Sequence, residues 1–374
     1  MATRRDFLAG AATAALFQQR AAAVSNAPVA VQRCRTYGAG LEPTMRRLFD
    51  GVGGLGRLVN NKTVAIKINL TGRPSRRLGQ TPVETTHWTH PRVIGMTMFL
   101  MQEAGARRIR ILESPSAADP LEKVIRDANW DPALLLGAAK HVEFENTNFL
   151  NGAKRYARLS VPNGGHLFPA FDLHPRYADC DVFVSIAKLK EHAVAGVTLS
   201  MKNCFGITPC TIYGDGAGEH EPSVQPAGDR RAVFHVGSRS PSHSAPQELH
   251  PGSPRQEGYR IPRIVADIAA ARPIHLSILD GVHSIAGGEG PWVPGARPCR
   301  PGVLIAGTNP VCTDAVAAAI LGFDPLARRG APPFENCDNM LALAAQHGLG
   351  THDVSRIEVA GAQIADIRYD IRKA

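Results

Sequence analysis

The sequence predicts an α/β fold: a mostly parallel sheet with crossover helices, some antiparallel strands and one long insertion. Three observations support this prediction. Short apolar runs rich in β-branched residues alternate with segments of helical periodicity along most of the chain. Proline begins and glycine follows some of the helical segments, where helices tolerate these residues. A stretch rich in proline, serine, glycine and histidine then interrupts the alternation.

The first strand-helix-strand unit is predicted near the start of this alternating region. Residues 63–70 form an apolar run typical of a buried strand, and residues 91–105 follow as a helix with proline at its start and glycine at its end. Residues 108–112 are the next predicted strand. Such a unit places two parallel strands in one sheet with the helix packed on its face.

The later elements continue the pattern with one exception. Residues 141–172 predict antiparallel strands and turns. The other predicted strands are residues 181–186, 274–279 and 302–306, and the other predicted helices are residues 261–271, 310–321 and 337–347.

The insertion spans residues 213–258 and has almost no periodic apolar face. It contains His220, His235, His243 and His250, so a metal site and a solvated lid are both open interpretations. The spacing of the four histidines favours the lid, which we expect to be exposed and dispensable for folding.

The N-terminus has the order of a twin-arginine export signal. Arg4-Arg5-Asp6-Phe7-Leu8 precedes an alanine-rich apolar run, and Ala21-Ala22-Ala23 supplies the small side chains that a signal peptidase requires. The alternative is a basic arm that contains two arginines by chance. We therefore expect residues 1–23 to engage the twin-arginine translocation machinery and to direct the remaining chain to the periplasm, with no lasting membrane anchor.

Composition limits the classes of partner. The chain has 42 basic and 33 acidic residues, a net charge of +9, but the basic residues are spread along it and aromatic residues are only 6%. This pattern argues against nucleic acid and favours a small anionic ligand. The seven cysteines include no Cys-x-x-Cys pair, so no iron-sulfur cysteine motif is present, and the sequence identifies no cofactor or metal.

Polar residues gather where the predicted strands end. Lys67 and Asn69 lie at the end of the first strand, Glu113 follows the second, and Asp280 and Asn309 follow later ones. In an open α/β sheet, ligands bind outside the carboxyl ends of the strands. The alternative for Lys67 is a structural ion pair with Glu113 or Asp280.

The densest group of polar residues lies between residues 187 and 206. Lysines here are point donors to carboxylate or phosphate, and a histidine beside them is held in its neutral form. Cys204 is more consistent with a buried, inert thiol than with a nucleophile. The predicted catalytic residues are Lys188, His192, Lys202 and Asp280, and the predicted ligand-binding residues are Lys67, Asn69, Lys190, Asn203, Glu289 and Asp314.

Several ordered motifs carry a family resemblance. They are Val64-Ala65-Ile66-Lys67-Ile68-Asn69, Ala187-Lys188-Leu189-Lys190-Glu191-His192, Met201-Lys202-Asn203-Cys204-Phe205-Gly206, Leu279-Asp280-Gly281 with Gly290-Pro291, and Asn309-Pro310-Val311-Cys312-Thr313-Asp314. Together they resemble the domain of unknown function 362 (DUF362) family.

The resemblance covers residues 60–361, preceded by a lead-in at residues 24–59 and followed by a tail at residues 362–374. It implies no particular reaction. Some members of the family carry appended ferredoxin-type cysteine clusters, and their absence from this sequence puts an electron-transfer role in doubt.

Two classes of function follow from these residues. The first is an enzyme that acts on a small anionic or carbonyl substrate, with His192 as general acid or base. The second is a non-catalytic binding protein for an anionic ligand or a metal. For both, we expect Lys67, Lys188, His192, Lys202, Asp280 and Glu289 to converge on one cleft.

Overall fold

The computed structural model describes residues 27–115 and 118–374, so the expected export signal lies outside the described residues. The strands are β1 (Val29–Arg33), β2 (Thr63–Lys67), β3 (Arg108–Glu113), β4 (Val142–Asn146), β5 (Ala157–Ser160), β6 (Ala170–Leu173), β7 (Val182–Lys188), β8 (Glu191–His192), β9 (Gly196–Val197), β10 (Leu276–Gly281), β11 (Ser284–Ala286), β12 (Arg297–Cys299), β13 (Val303–Gly307) and β14 (Val359–Gly361). The α-helices are α1 (Leu41–Asp50), α2 (Gly56–Val59), α3 (Pro91–Glu103), α4 (Leu121–Asp127), α5 (Pro132–Leu136), α6 (Pro175–Ala178), α7 (Leu199–Asn203), α8 (Cys210–Tyr213), α9 (Glu257–Ala271), α10 (Pro310–Ile320), α11 (Met340–Gln346) and α12 (Ile364–Ile367).

Eight strands form the central sheet in the order β14-β1-β13-β10-β7-β2-β3-β4. Every neighbouring pair is parallel except the two pairs made by β13, which runs antiparallel to both β1 and β10. The predicted α/β fold with a mostly parallel sheet is confirmed. Because β13 runs in the reverse direction, Asn309, which follows it, lies at the end of the sheet opposite to the carboxyl ends of β2, β7 and β10.

The segment at residues 141–172 departs in part from its prediction. β5 and β6 form the expected antiparallel pair. β4, however, joins the edge of the central sheet parallel to β3, so the antiparallel prediction is wrong for this strand.

Helices cover both faces of the sheet and create two hydrophobic cores. On one face, α9, α10 and α11 pack over alternate residues of the central strands, including Ala65 and Phe183. On the other face, α1, α3, α4 and α5 pack over the intervening residues, including Ile66 and Ile186. We refer to these as the α9 face and the α3 face. Residues at odd and even positions of a strand therefore lie in different cores.

The residues before position 60 are an integral part of this architecture. β1 lies inside the sheet between β13 and β14, and Leu41, Met45 and Leu48 of α1 are buried in the core of the α3 face. The lead-in and the closing segment at β14 are thus joined to the same sheet.

The insertion at residues 213–258 is only partly exposed. It is mostly irregular, as expected, but residues Arg231–His235 form one π-helical turn, and Val233 and Phe234 are completely buried. The Phe234 ring packs edge-on against Phe205 and Phe168. The expectation of a solvated segment is therefore wrong for this turn, because two of the few apolar side chains in the insertion enter the main core. That the segment is dispensable for folding stays a prediction.

Among the helices of the described residues, none has the length and apolar character needed to cross a membrane.

Candidate functional site

The carboxyl ends of β10, β7 and β2 lie side by side, but their polar residues occupy both faces of the sheet. Lys67 comes two residues after Ala65 and lies on the α9 face. Lys188 and Asp280 come two residues after Ile186 and Ile278 and lie on the α3 face. The expectation that these three residues share one cleft is wrong, since the sheet separates Lys67 from the other two.

On the α3 face, Lys188 and Asp280 form an ion pair of 2.8 Å, and both side chains are fully buried. Asp280 also accepts hydrogen bonds from the Tyr37 hydroxyl at 2.9 Å and the His90 backbone N–H at 3.0 Å. Lys188 donates to the Glu84 carbonyl at 2.8 Å. We call Lys188 and Asp280 the buried pair. Its charges are satisfied by the protein itself, which indicates a structural role instead of the expected catalytic one.

On the α9 face, Lys67 pairs with Glu113 at 2.7 Å, which is the structural alternative considered for this lysine. Lys67 also donates to Asn203 Oδ1 at 3.2 Å, and the Asn203 amide donates to Ser185 Oγ at 3.0 Å. Burial lowers the pKa of Lys67 and raises that of Glu113, and their mutual attraction opposes both changes. Lys67 and Asn203 therefore stabilise the strand end together with Glu113.

Two more expected ligand-binding residues have local partners. Asp314 on α10 accepts hydrogen bonds from the backbone N–H groups of Ser200 and Met201, each at 2.9 Å, so it caps the start of α7. Burial, partly offset by these bonds, raises the pKa of Asp314 to about 7. Asn69 donates to Thr71 Oγ1 at 3.0 Å, while its own Oδ1 is buried without a hydrogen-bond partner.

A different group forms the candidate site. It lies where the chain leaves β7 and passes through β8, α7 and the loop after β11, and it is joined by one residue of the insertion. We call this group the basic rim. Its members are Lys190, His192, Lys202, Arg230 and Glu289.

Lys202 is the rim cation that neither a carboxylate nor a backbone carbonyl of the described residues holds. Its Nζ lies 4.1 Å from the centre of the Phe205 ring, and in the described part of the chain no carboxylate forms an ion pair with it. Burial, together with Arg230 and Lys67 and opposed by Glu289, lowers the pKa of Lys202 to about 8. A partly buried ammonium held against an aromatic face is a favourable site for an anion.

Lys190 and Arg230 add positive charge that is held mainly by carbonyl groups. Lys190 is fully buried and donates to the carbonyls of His87 and Glu289 at 2.9 and 2.8 Å. Burial lowers its pKa to about 7. Arg230 donates to the carbonyls of Thr208 and Ser114. Uncharged partners orient these two cations without neutralising them.

Glu289 is the carboxylate of the rim. It accepts hydrogen bonds from the Trp292 indole at 2.7 Å and the Ala193 N–H at 3.0 Å, and its Oε2 lies 3.6 Å from His192 Nδ1. Burial opposes its ionisation, but the charge of His192 when that ring is protonated, together with the two N–H donors, outweighs burial and lowers the pKa of Glu289 to about 2.

Burial and then Lys202 lower the pKa of His192 well below its ordinary value. The rim therefore holds a neutral imidazole beside a fixed carboxylate.

Sequence reasoning missed several residues that border these groups. His87 is fully buried, its Nε2 has no hydrogen-bond partner, and burial with Lys190 and Lys188 lowers its pKa to about 2. Tyr37 belongs to the region treated as a lead-in, and Arg230 to the insertion. Trp292 follows the glycine-rich segment and also lies edge-on to His87, with ring centres 5.6 Å apart. A weak signal for His87 was available, because the histidine and tryptophan pair at 87–88 follows the end of β2.

The remaining histidines and cysteines divide between the rim and other sites. His235 faces Phe205, and burial with Lys202 lowers its pKa to about 3, so the insertion contributes to the surroundings of the rim. His220 and His243 approach each other elsewhere, with their Nδ1 atoms 3.2 Å apart. Cys204 is buried and burial raises its pKa to about 12, consistent with the inert thiol expected from the sequence.

An open surface depression of about 430 Å³ lies beside β4 and shares no lining residue with the rim. Its charged lining residues are Glu122, Glu143, Glu145 and Arg176. Because the carboxylates outnumber the single cation, this depression does not suit an anionic ligand.

Comparison with known proteins places the chain in a family. A thylakoid-associated protein of Synechocystis sp. is 26% identical over 301 residues, which cover 79% of this chain and 75% of that protein. The lactate racemase apoprotein from Thermoanaerobacterium thermosaccharolyticum aligns in structure with a TM-score of 0.38 and 12% identity, over 74% of this chain and 54% of its own length. The chain thus spans about half of that enzyme. The model of the family described as "Domain of unknown function (DUF362)" matches residues 64–319, a segment that holds all of the buried pair and rim residues, and the chain belongs to this family.

Proposed function

We propose that the basic rim binds a small anionic or carbonyl substrate and that the chain is an enzyme acting on it. The observation that carries this proposal is Lys202, whose ammonium lies against Phe205 with no carboxylate partner among the described residues. Taking a cation out of water without a counterion is unfavourable, and an anionic ligand removes that cost. Lys67 and Lys188, which have carboxylate partners, need no such ligand.

The charges around Lys202 also favour an anion. The rim holds three cationic groups, Lys190, Lys202 and Arg230, against the single carboxylate of Glu289. Lys190 and Arg230 are already oriented by backbone carbonyls, so they need little rearrangement to face a bound ligand. Preorganised positive charge of this kind stabilises a carboxylate, or an oxyanion that develops from a carbonyl.

His192 is the group that would exchange a proton with the substrate. Its imidazole is neutral at physiological pH, as a general base must be, and Glu289 lies beside it to stabilise the protonated form. Lys202 would hold the negative end of the substrate next to this base. Lys188 and Asp280 remain outside the proposed reaction, because they are paired with each other and both side chains are fully buried.

One contact favours the second candidate, a non-catalytic binding protein. The Val194 backbone N–H points to His192 Nδ1 at 3.3 Å. If this bond sets the tautomer, the hydrogen lies on Nε2, and His192 presents a donor to the ligand. An N–H donor at Nε2 can bind an anion, but that nitrogen can then no longer accept a proton as a general base.

The experiment for anion binding is calorimetric titration of residues 24–374, with oxalate and inorganic phosphate as probes. We expect Lys202→Met to weaken oxalate binding by about tenfold or more, because a charge-assisted hydrogen bond is lost. The matched control is Lys154→Met, which removes an exposed lysine and should leave the affinity unchanged. Equal affinities for wild type and Lys202→Met would contradict the proposed site.

Turnover separates the two candidates. The wild type and His192→Gln are incubated with 2-oxo and 2-hydroxy acids in deuterated water, and exchange or conversion is followed by NMR. An enzyme that uses His192 shows a change that the variant lacks. If the wild type binds oxalate but converts none of the panel, the binding protein becomes the better proposal.

We also propose export to the periplasm, supported by the order of residues 1–23. Changing Arg4 and Arg5 to lysine should leave the protein in the cytoplasm, because the translocation receptor recognises the arginine pair. Fractionation of the bacterial host measures the distribution. Periplasmic protein at the wild-type level from the double variant would contradict this route.

A further inference from the structure

A second cluster of polar side chains lies away from the rim, where the loop between β5 and β6 meets α9 and the end of α11. It consists of His166, Asp267 and His347. Each residue offers one potential ligand atom, and the three atoms lie within 4.8 Å of one another. The His166 and His347 rings are adjacent, with centres 4.3 Å apart. The function proposed above makes no use of these residues.

The Asp267 carboxylate is fixed in position before any ligand binds. It is completely buried, and it accepts the backbone N–H groups of His166 at 2.7 Å, Leu167 at 2.8 Å and Phe168 at 3.1 Å. A side chain at Gly165 would come within 1.9 Å of the Phe168 carbonyl oxygen, so only glycine allows the loop to close around the carboxylate.

The separation of His347 and Asp267 matches what a small transition-metal ion requires. His347 Nε2 lies 3.0 Å from Asp267 Oδ1. Two ligands that each lie about 2.0–2.2 Å from one zinc ion are separated by about 3 Å or slightly more, so this pair is already spaced for a shared ion. His166 Nε2 lies 3.2 Å from the Leu343 carbonyl. Donation to that carbonyl leaves Nδ1 as the free lone pair, which is the second-shell arrangement typical of metal-bound histidine.

We propose that His166, Asp267 and His347 form a binding site for a divalent transition metal, with zinc as the best-fitting ion. Two imidazoles and one carboxylate are an established zinc ligand set. The three ligands come from separate segments, so a bound ion would fasten the loop between β5 and β6 to α9 and α11.

The test uses residues 24–374, stripped of metal with a chelator and titrated with zinc. His347→Gln and His166→Gln are the test variants. Glutamine at 347 keeps an N–H that can donate to Asp267, and both variants leave the backbone bonds to that carboxylate in place. We expect each variant to bind zinc about 10- to 100-fold more weakly, or worse, since even loss of an outer-shell partner has an effect of this size.

The control is the double variant His220→Gln with His243→Gln, which removes the exposed histidine pair in the insertion. It should retain the tight zinc site. Cobalt provides a second readout, because the wild type should give visible ligand-field bands that the two test variants lack. Zinc should also raise the melting temperature of the wild type and of the control. Equal zinc affinity in wild type and His166→Gln, or loss of binding in the control, would overturn the proposal.

Discussion

Lys188 and Lys202 lie at the same end of the sheet but in opposite electrostatic surroundings. Lys188 is fully buried and donates to a carboxylate, a carbonyl and the Tyr37 hydroxyl. Lys202 is partly accessible and has an aromatic ring beside it instead of a carboxylate. A lysine whose N–H groups all donate to groups of the protein has no donor left for a ligand. By this criterion Lys188 is structural, and Lys202 is the lysine that remains available to the proposed anion.

The largest expected effect comes from a comparison of two single variants, one at Lys188 and one at Lys202. Lys188→Met leaves Asp280 as an uncompensated buried charge, which should lower the free energy of unfolding by about 3–5 kcal/mol. Lys202 has no ion-pair partner among the described residues, so Lys202→Met leaves no buried group without a partner. It should lower the free energy of unfolding by less than about 1 kcal/mol. Urea denaturation measures both. Similar losses for the two variants would remove the distinction between the buried pair and the rim.

A smaller effect is expected from Tyr37→Phe. The Tyr37 hydroxyl donates to Asp280 at 2.9 Å and accepts the His283 N–H at 3.2 Å. Lys188 Nζ also donates to this hydroxyl at 3.3 Å. Removal of the hydroxyl should cost about 1–3 kcal/mol, because three partners lose a contact and two of them are charged. Tyr259→Phe is the matched control, since that ring packs on Arg263 and its change should have little effect on stability. A loss no larger than the control's would show that the buried pair does not depend on Tyr37.

The strands and helices could be predicted because apolar periodicity and proline and glycine signals are local in sequence. The face of the sheet on which Lys67 or Lys188 lies could not be predicted. In a parallel sheet covered on both sides, odd and even positions are equally apolar, so the pattern around Ile66 or Ile186 does not indicate which helices they meet. The reversed direction of β13 is similarly invisible, because a buried strand has the same composition in either direction.

The rim was predicted in part. Lys190, His192 and Lys202 are close in sequence, and Glu289 stands out in a glycine-rich segment, so the sequence indicated all four. Long-range contacts, which no local sequence pattern predicts, bring Arg230, His87 and Trp292 to the site. The turn at Arg231–His235 was misjudged for the same reason, because the core that buries Phe234 is built from residues far away in sequence.

The smallest and most specific effect concerns pH. The pKa of Lys202 is lowered to about 8 by burial, with Arg230 and Lys67 adding to this and Glu289 opposing it. As pH rises through 8 the ammonium loses its proton, and oxalate affinity should fall by up to about tenfold, toward the value of Lys202→Met. Oxalate is the suitable probe because it remains a dianion across the range, whereas phosphate changes its own charge. In Lys202→Met the fall near pH 8 should disappear, and a residual fall near pH 7 would belong to Lys190, whose pKa is about 7.

The fall in oxalate affinity cannot be explained by unfolding that the deprotonation of Lys202 causes. Its pKa in the folded chain, about 8, is lower than its ordinary value of 10.5, so between these values the unfolded chain holds a proton that the folded chain has released. Raising the pH across that window therefore favours the folded state as far as this group is concerned. Affinity and stability should change in opposite directions above pH 8. An oxalate affinity that stays flat from pH 6 to 9.5, measured on protein that calorimetry shows to be folded, would mean that Lys202 does not hold the anion.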